Sequence, residues 1–217
     1  TLGGVACNSG TSALVLALKS LDINIGDEII LPTYVCRNVL SAIISVGASP
    51  ILCDVDEYGL INNDTVKEVL SHKTKAIIAV HIFGHACDIN NLKKIGIPII
   101  EDACQSFGLR IQGRLSGSIG TIGIFSFHAT KCLTTGEGGM LISNSKSILK
   151  KARELSNSWD KNNAVSLTSL SDIQATLGLS QLSRYEKFLA RRKKIIKSFH
   201  EISSNLDNAV PGYLNEP

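Results

Sequence analysis

Pro98-Ile-Ile-Glu-Asp102-Ala-Cys-Gln105-Ser106 brings two carboxylates to the end of a short apolar run. The apolar residues 97–100 are enough for a buried strand and too few for a helix. In open α/β sheets, ligands collect at the carboxyl ends of the strands. Asp102 is therefore a candidate site residue. A buried carboxylate needs a partner, and the proton of a ligand's ring nitrogen would serve. A carboxylate that caps a strand–loop junction would leave the same trace in the sequence.

On both sides of this run the pattern is regular. Upstream, the spacing predicts a helix over 12–21, a strand over 28–31 ending at Pro32, a helix over 38–46 and a strand over 50–55. A helix over 65–70 follows, with Asp64 as its N-cap, then a strand over 75–83 and a short helix over 90–95. This β-α alternation predicts an α/β fold with a mostly parallel sheet. Downstream, strands over 121–127 and 140–143 have no full helix between them, which predicts an antiparallel return. Helices over 147–155, 172–182 and 185–202 complete the chain, the last basic and amphipathic. The expected division is a sheet domain over 1–183 and a helical connection over 184–217 that starts a small C-terminal domain.

Two further motifs belong with Asp102. Ser126-Phe-His-Ala-Thr-Lys131 places a lysine just past a strand, before the glycine-rich Thr135-Gly-Glu-Gly-Gly139. Partial burial favours the neutral amine of a lysine, which suits covalent chemistry with an aldehyde; an exposed loop lysine is the plainer reading. The glycine run is expected to be flexible enough to fold over a ligand. Cys7-Asn-Ser-Gly10-Thr11-Ser12 opens an apolar helix, whose free amides attract a phosphate; a simple capped helix start has the same pattern. A lysine for an aldehyde, an aspartate for a pyridine nitrogen and a turn for a phosphate are the parts of a pyridoxal 5'-phosphate (PLP) site. With no GxGxxG and no Walker lysine, a dinucleotide or ATP site is poorly supported. His81, His85 and Cys87 have metal-like spacing, but no other ligands cluster near them, so a hydrogen-bonded histidine is preferred and no metal is expected. No GxSxG supports a serine hydrolase.

The 217 residues are 44% apolar and 19% charged, an ordinary globular composition. The net charge is +3, and much of the basic excess lies in 184–197. That reads as a solvated helix face, so no nucleic-acid partner is expected. No apolar run reaches the ~18 residues of a membrane span, and no signal peptide is seen. The cysteines at 7, 36, 53, 87, 104 and 132 form no CxxC pair and sit largely in apolar patterns. They point to free thiols in a reducing compartment, the cytoplasm. A start at Thr1 and a single methionine, Met140, read as part of a longer protein.

The motifs in order resemble the DegT/DnrJ/EryC1/StrS family of PLP-dependent sugar aminotransferases, of fold-type I. The resemblance runs from Cys7-Asn-Ser-Gly-Thr-Ser-Ala-Leu14 through Gly26-Asp-Glu-Ile-Ile-Leu-Pro32, Val80-His-Ile-Phe-Gly-His85 and Glu101-Asp-Ala-Cys-Gln-Ser-Phe-Gly108. It continues through Phe125-Ser-Phe-His-Ala-Thr-Lys131 and Thr135-Gly-Glu-Gly-Gly139 to Ser171-Asp-Ile-Gln-Ala-Thr-Leu-Gly-Leu179. It implies the three-layer large domain of an aspartate-aminotransferase-like enzyme, with the small C-terminal domain largely absent. It also implies that Lys131 holds the cofactor aldehyde and then shuttles protons. Asp102 would hold the pyridine N–H, Gln105 would approach the phenolic oxygen, and Ser126, Gly10 and Thr11 would bind the phosphate.

The family moves an amino group from an amino acid, usually glutamate, to a nucleotide-linked keto-sugar, and builds its site in a homodimer. Two departures stand out. Cys36 occupies the position where many members stack an aromatic ring on the cofactor, and Leu167 stands where many carry an asparagine that reaches the partner subunit. A sugar-dehydratase-like chemistry and a non-catalytic remnant acting as a binding module are the alternatives. A lysine at 131 favours transamination over dehydration, because the resembling dehydratases carry histidine there.

Overall fold

The computed structural model describes residues 1–157 and 169–203. Seven strands form one sheet: β1 (Gly3–Cys7), β2 (Glu28–Pro32), β3 (Ser49–Cys53), β4 (Thr74–Val80), β5 (Ile99–Asp102), β8 (Ile122–Ser126) and β9 (Gly139–Ser143). The strand order is β1-β9-β8-β5-β4-β2-β3. From β8 to β3 every pairing is parallel, and β9 runs antiparallel to both β8 and β1. The expected α/β class and the antiparallel return are both present. A separate hairpin, β6 (Arg110–Ile111) with β7 (Arg114–Leu115), turns through Gln112 and Gly113, both at positive φ.

The pleat sorts side chains into two cores. Ile29, Leu31, Ile78, Ile100 and Ile124 pack with α1 (Gly10–Ser20), α2 (Arg37–Ser45) and α5 (Lys146–Asn157) on one face. Ile30, Ile77 and Ile99 pack with α3 (Asn63–Val69) and α4 (Ile89–Leu92) on the other. Alternation along β5 therefore directs Asp102 to the α1 face with Ile100, and Glu101 to the opposite face with Ile99. Beyond β9 follow α5, then α6 (Asp172–Leu182) and the long α7 (Tyr185–Ser203).

Three features differ from the sequence reading. β1 was not expected, because its opening Gly3-Gly4 hides the strand pattern. Those glycines allow close pairing: a side chain at Gly4 would come within 2.9 Å of the Leu141 carbonyl oxygen. The N-cap of α3 is Asn62, not Asp64. Asn62 has extended backbone and accepts from the amides of Asp64 (2.9 Å) and Thr65 (3.0 Å), while Thr65 Oγ1 accepts from the Asn62 amide (3.2 Å). Pro32 is the last residue of β2 rather than its stop.

Glu101 is fully buried and accepts four hydrogen bonds. The donors are the amides of Gly117 (2.6 Å), Ile119 (2.9 Å) and Gly120 (2.8 Å), and His81 Nε2 (2.9 Å). His81 Nδ1 accepts from the Cys87 amide at 3.2 Å, so Nε2 carries the proton given to Glu101. Burial alone would raise the Glu101 carboxyl. His81 and the amides of Gly120 and Gly117 outweigh it and hold the group below its ordinary value of 4.5. His81 is thus a hydrogen-bonded core residue, as the sequence suggested.

A depressed carboxyl stabilises the fold above its unfolded pKa, and that stability is lost as the pH falls through the folded value. Glu101→Gln should cost about 1–3 kcal/mol at neutral pH for each buried donor that its new amide group leaves unpaired. In denaturant unfolding, the gap between parent and variant should close as the pH drops below 4.5.

Candidate active site

The seven residues singled out from the sequence, Gly10, Thr11, Cys36, Asp102, Gln105, Ser126 and Lys131, all line one cavity of about 430 Å³. The fold brings them from four places: the start of α1, the loop after β2, the end of β5, and the end of β8 with the turn after it.

One end of the cavity is built by close approach. Ser9 caps α1, its Oγ accepting from the Ser12 amide at 3.1 Å and its carbonyl from the Ala13 amide at 3.1 Å. The amides of Gly10 and Thr11 are the first-turn donors that this cap leaves over. A side chain at Gly10 would sit 2.8 Å from Ser126 Cβ, and one at Gly139 would sit 2.3 Å from the Ser9 carbonyl oxygen. β8, β9 and the helix start therefore meet with no side chain from Gly10 or Gly139 between them, and Ser126 lies beside the leftover amides. The result is a compact cradle of donors at the positive end of an 11-residue helix, an arrangement that suits an anion.

Asp102 lies further in, 5% exposed. Its Oδ1 accepts from the Cys104 amide at 3.0 Å, and its backbone oxygen accepts from the His81 amide at 3.0 Å. Burial, then the charge and hydrogen bond of Asp102, push the Cys104 thiol well above its ordinary pKa, so it stays neutral. Leu14, Val80 and Ile124 give this part of the cavity an apolar wall. Cys36, the N-cap of α2, is exposed at the cavity edge.

Lys131 stands in a turn closed by its own amide donating to the His128 carbonyl (2.9 Å). The neck of that loop is held by Phe127 N to Gly138 O (2.7 Å) and Thr135 N to Phe127 O (2.9 Å). The following glycines are not a flexible flap. Gly138 and Gly139 are buried, and a side chain at Gly138 would lie 2.3 Å from Thr135 Oγ1. Only Gly136 needs its left-handed φ of 81°. Gln174 of α6 donates to the Glu137 carbonyl at 2.8 Å and braces the loop from outside.

The cavity also contains residues that the sequence reading did not single out for the site, among them His128, Glu137, Asn38 and Thr130. His128 Nε2 lies 3.3 Å from Glu137 Oε1, and its Nδ1 lies 2.9 Å from Thr130 Oγ1. Their positions depend on how the 128–138 loop folds back, for which no sequence period exists. Leu167 lies outside the described residues.

A family model described as the DegT/DnrJ/EryC1/StrS aminotransferase family matches residues 2–213. The chain belongs to this family. It is 34% identical over 216 residues to GDP-perosamine synthase from Vibrio cholerae, covering 94% of this chain and 59% of that protein. The aminotransferase from Psychrobacter cryohalolentis superposes with a TM-score of 0.84 at 32% identity, over 93% of this chain and 57% of that one. NtdA from Bacillus subtilis, solved with the cofactor PMP bound, superposes with a TM-score of 0.72 at 27% identity, over 82% of this chain and 43% of that one. The chain thus spans less than two thirds of these relatives and corresponds to the large domain of a fold-type I aminotransferase.

Gly10→Ala should be poorly tolerated. Its new methyl has to displace Ser126 or the start of α1, at a cost of roughly 1–3 kcal/mol. A lower melting temperature together with weaker PLP uptake is the expected pair of results.

Proposed function

We propose that this chain carries the cofactor site of a PLP-dependent aminotransferase that moves an amino group from an amino acid, glutamate in the first instance, to a nucleotide-linked keto-sugar. The arrangement that supports this is the joint placement of Lys131, Asp102 and the Gly10–Ser126 cradle on one cavity. The residues fit the cofactor. The cradle offers backbone donors, the Ser126 hydroxyl and a helix N-terminus to a phosphate, and Asp102 offers a buried carboxylate to a ring N–H.

When bound, PLP supplies an aldehyde for the amine and a ring that takes up an electron pair. The protein's part is to bind, orient and move protons. The Gly10 and Thr11 amides and Ser126 Oγ hold the phosphate. Asp102 would keep the ring nitrogen protonated, and Gln105 would stand toward the phenolic oxygen. Cys36 lies at the cavity edge and gives a ring less contact than an aromatic side chain would. Lys131 Nζ would hold the cofactor's aldehyde. As a free amine, Nζ would be the general base that takes the donor's Cα proton and gives it back at the former aldehyde carbon, a 1,3-shift across the nitrogen.

A homodimer and a reducing, cytoplasmic setting belong to the same proposal. The six cysteines are free, and burial pushes the Cys7 and Cys87 thiols up to about 12. No described helix is long and apolar enough to cross a membrane.

Borohydride reduction with PLP, followed by peptide mapping, should place the pyridoxyl group on Lys131. A label confined to another lysine would remove the site assignment. Failure of any lysine to take PLP would leave the fold as a binding module. A carboxylate partner of this kind is worth about 3–4 kcal/mol to the developing charge. Asp102→Asn should therefore slow conversion to the pyridoxamine form by glutamate at least a hundredfold while the fold persists. If the lysine-bound cofactor forms and no amino acid converts it, the aminotransferase reading falls and the dehydratase-like or binding-module reading takes its place.

A further inference from the structure

The loop that carries Lys131 also carries a run of three hydrogen-bonded side chains to which the proposed function gives no task. Glu137 Oε1 lies 3.3 Å from His128 Nε2, and Thr130 Oγ1 lies 2.9 Å from His128 Nδ1. All three line the cavity together with Lys131. The Thr130 amide also donates to Nδ1, at 3.3 Å. An amide can only donate, so Nδ1 presents its lone pair and the neutral ring carries its proton on Nε2, toward Glu137. The Thr130 hydroxyl therefore donates to Nδ1. The order is carboxylate, imidazole, hydroxyl, and the hydroxyl belongs to the residue next to the lysine. The backbone holds this run in place. The His128 amide donates to Ser126 Oγ at 3.4 Å, and the Glu137 carbonyl accepts from Gln174 Nε2 at 2.8 Å and Thr135 Oγ1 at 2.6 Å. Thr130 is exposed, and the His128 and Glu137 side chains are 45% and 59% exposed. The run thus stands where water enters, while Asp102 stands at the dry end of the cavity.

Transamination moves water twice. Release of the keto acid adds water across a carbon–nitrogen double bond, and uptake of a keto-sugar expels it. Each step needs a group that takes a proton from the water or returns one to it. The other candidates in the cavity are engaged. Asp102 faces the ring nitrogen, Lys131 Nζ serves the carbon proton, and burial keeps the Cys104 thiol neutral. Acid–base catalysis is most effective by a group that titrates near the working pH, and imidazole is the side chain that ordinarily does so. We propose that Thr130, His128 and Glu137 form a proton relay for this water. Thr130 Oγ1 takes a proton from the attacking water and passes its own to His128 Nδ1, and Glu137 stabilises the imidazolium. As the carbon–oxygen bond forms, the double-bond pair moves to nitrogen, which receives that proton back through Thr130. The water's second proton follows when the carbon–nitrogen bond breaks and the carbonyl forms. Uptake of the keto-sugar runs the same steps in reverse. Thr130 touches the water, while His128 and Glu137 act through it. The inference rests on the aminotransferase reading of this cavity.

The test separates the proton shift at carbon from the water step. The PLP-loaded chain is given glutamate in D2O, and exchange of the glutamate Cα hydrogen is followed beside release of 2-oxoglutarate. The relay serves release alone. Thr130→Val and His128→Gln should each raise the ratio of exchange to release about a hundredfold, the lower end of what a positioned acid–base group contributes. Glu137→Gln should raise it about tenfold, the loss of one charge-assisted contact. Thr130→Ser keeps the hydroxyl and should recover most of the release that Thr130→Val loses. An unchanged ratio overturns the proposal, and so does equal slowing of both processes, which is what a merely structural role would give. A second measurement needs no cofactor: nitrogen NMR of the unloaded chain should find neutral His128 as the Nε2–H tautomer, and the Nδ1–H tautomer would break the relay. If the parent itself shows no exchange, the aminotransferase reading falls and the relay falls with it. If the parent exchanges and the variants match its ratio, the relay alone falls.

Discussion

The buried charge of Glu101 is the constraint on which the site depends. A carboxylate at full burial is tolerable only with its oxygens saturated by donors. Here the donors come from β4 through His81 and from the turn that feeds β8 through Gly117, Ile119 and Gly120. One side chain therefore ties together three adjacent parallel strands at the end where the cavity opens. Because neighbouring residues on a strand face opposite ways, fixing Glu101 on one side of the sheet fixes Asp102 on the other. A shift of one residue in β5 would bury Asp102 among Ile99's neighbours and strip Glu101 of all four donors, so the penalty for misregister is large.

The helix start answers this arrangement from the α1 side. Gly10 and Gly139 let α1, β8 and β9 approach to backbone contact, which places the leftover amides beside Ser126. β9 must run antiparallel for this to work. It returns directly from the Lys131 loop, and its first residue, Gly139, lies against Ser9. The turn with the lysine and the donor cradle at the start of α1 are thus two consequences of one short strand pair.

Much of this was legible in the sequence because it follows local periods. The apolar runs of β2, β4, β5 and β8 and the leucines of α1 mark a buried parallel sheet and the helix beneath it. Asp102, Ser126 and Lys131 stand at strand ends, where α/β topology collects ligands. What could not be read was set by tertiary contact. β1 is hidden because its glycines serve the pairing with β9 rather than a pattern of their own. The cap at Asn62 depends on an extended backbone one residue before the helix, which composition cannot locate when Asn62, Asn63 and Asp64 are all capable. The glycines after Lys131 read as flexibility, but packing against Thr135 and Ser9 makes two of them rigid. The pairing of His81 with Glu101 joins residues 20 apart in sequence across two strands. Spacing reveals such a pair only once the strand register is known.

The surroundings of Asp102 decide how strongly it can act on a ring proton. Leu14, Val80 and Ile124 form an apolar wall, and the neighbouring thiol of Cys104 stays neutral. Asp102 is therefore poorly screened by water, and a charge in such surroundings acts more strongly than it would in solution. The same dryness makes an unpaired Asp102 costly, so the carboxylate favours any ligand that brings a proton to it. Cys36 changes the grip on such a ligand without changing this preference, since a thiol at the cavity edge alters contact area and not charge. In the proposed function, selectivity for a protonated ring would thus reside in the sheet that buries Asp102, and the hold on that ring in the loops around it.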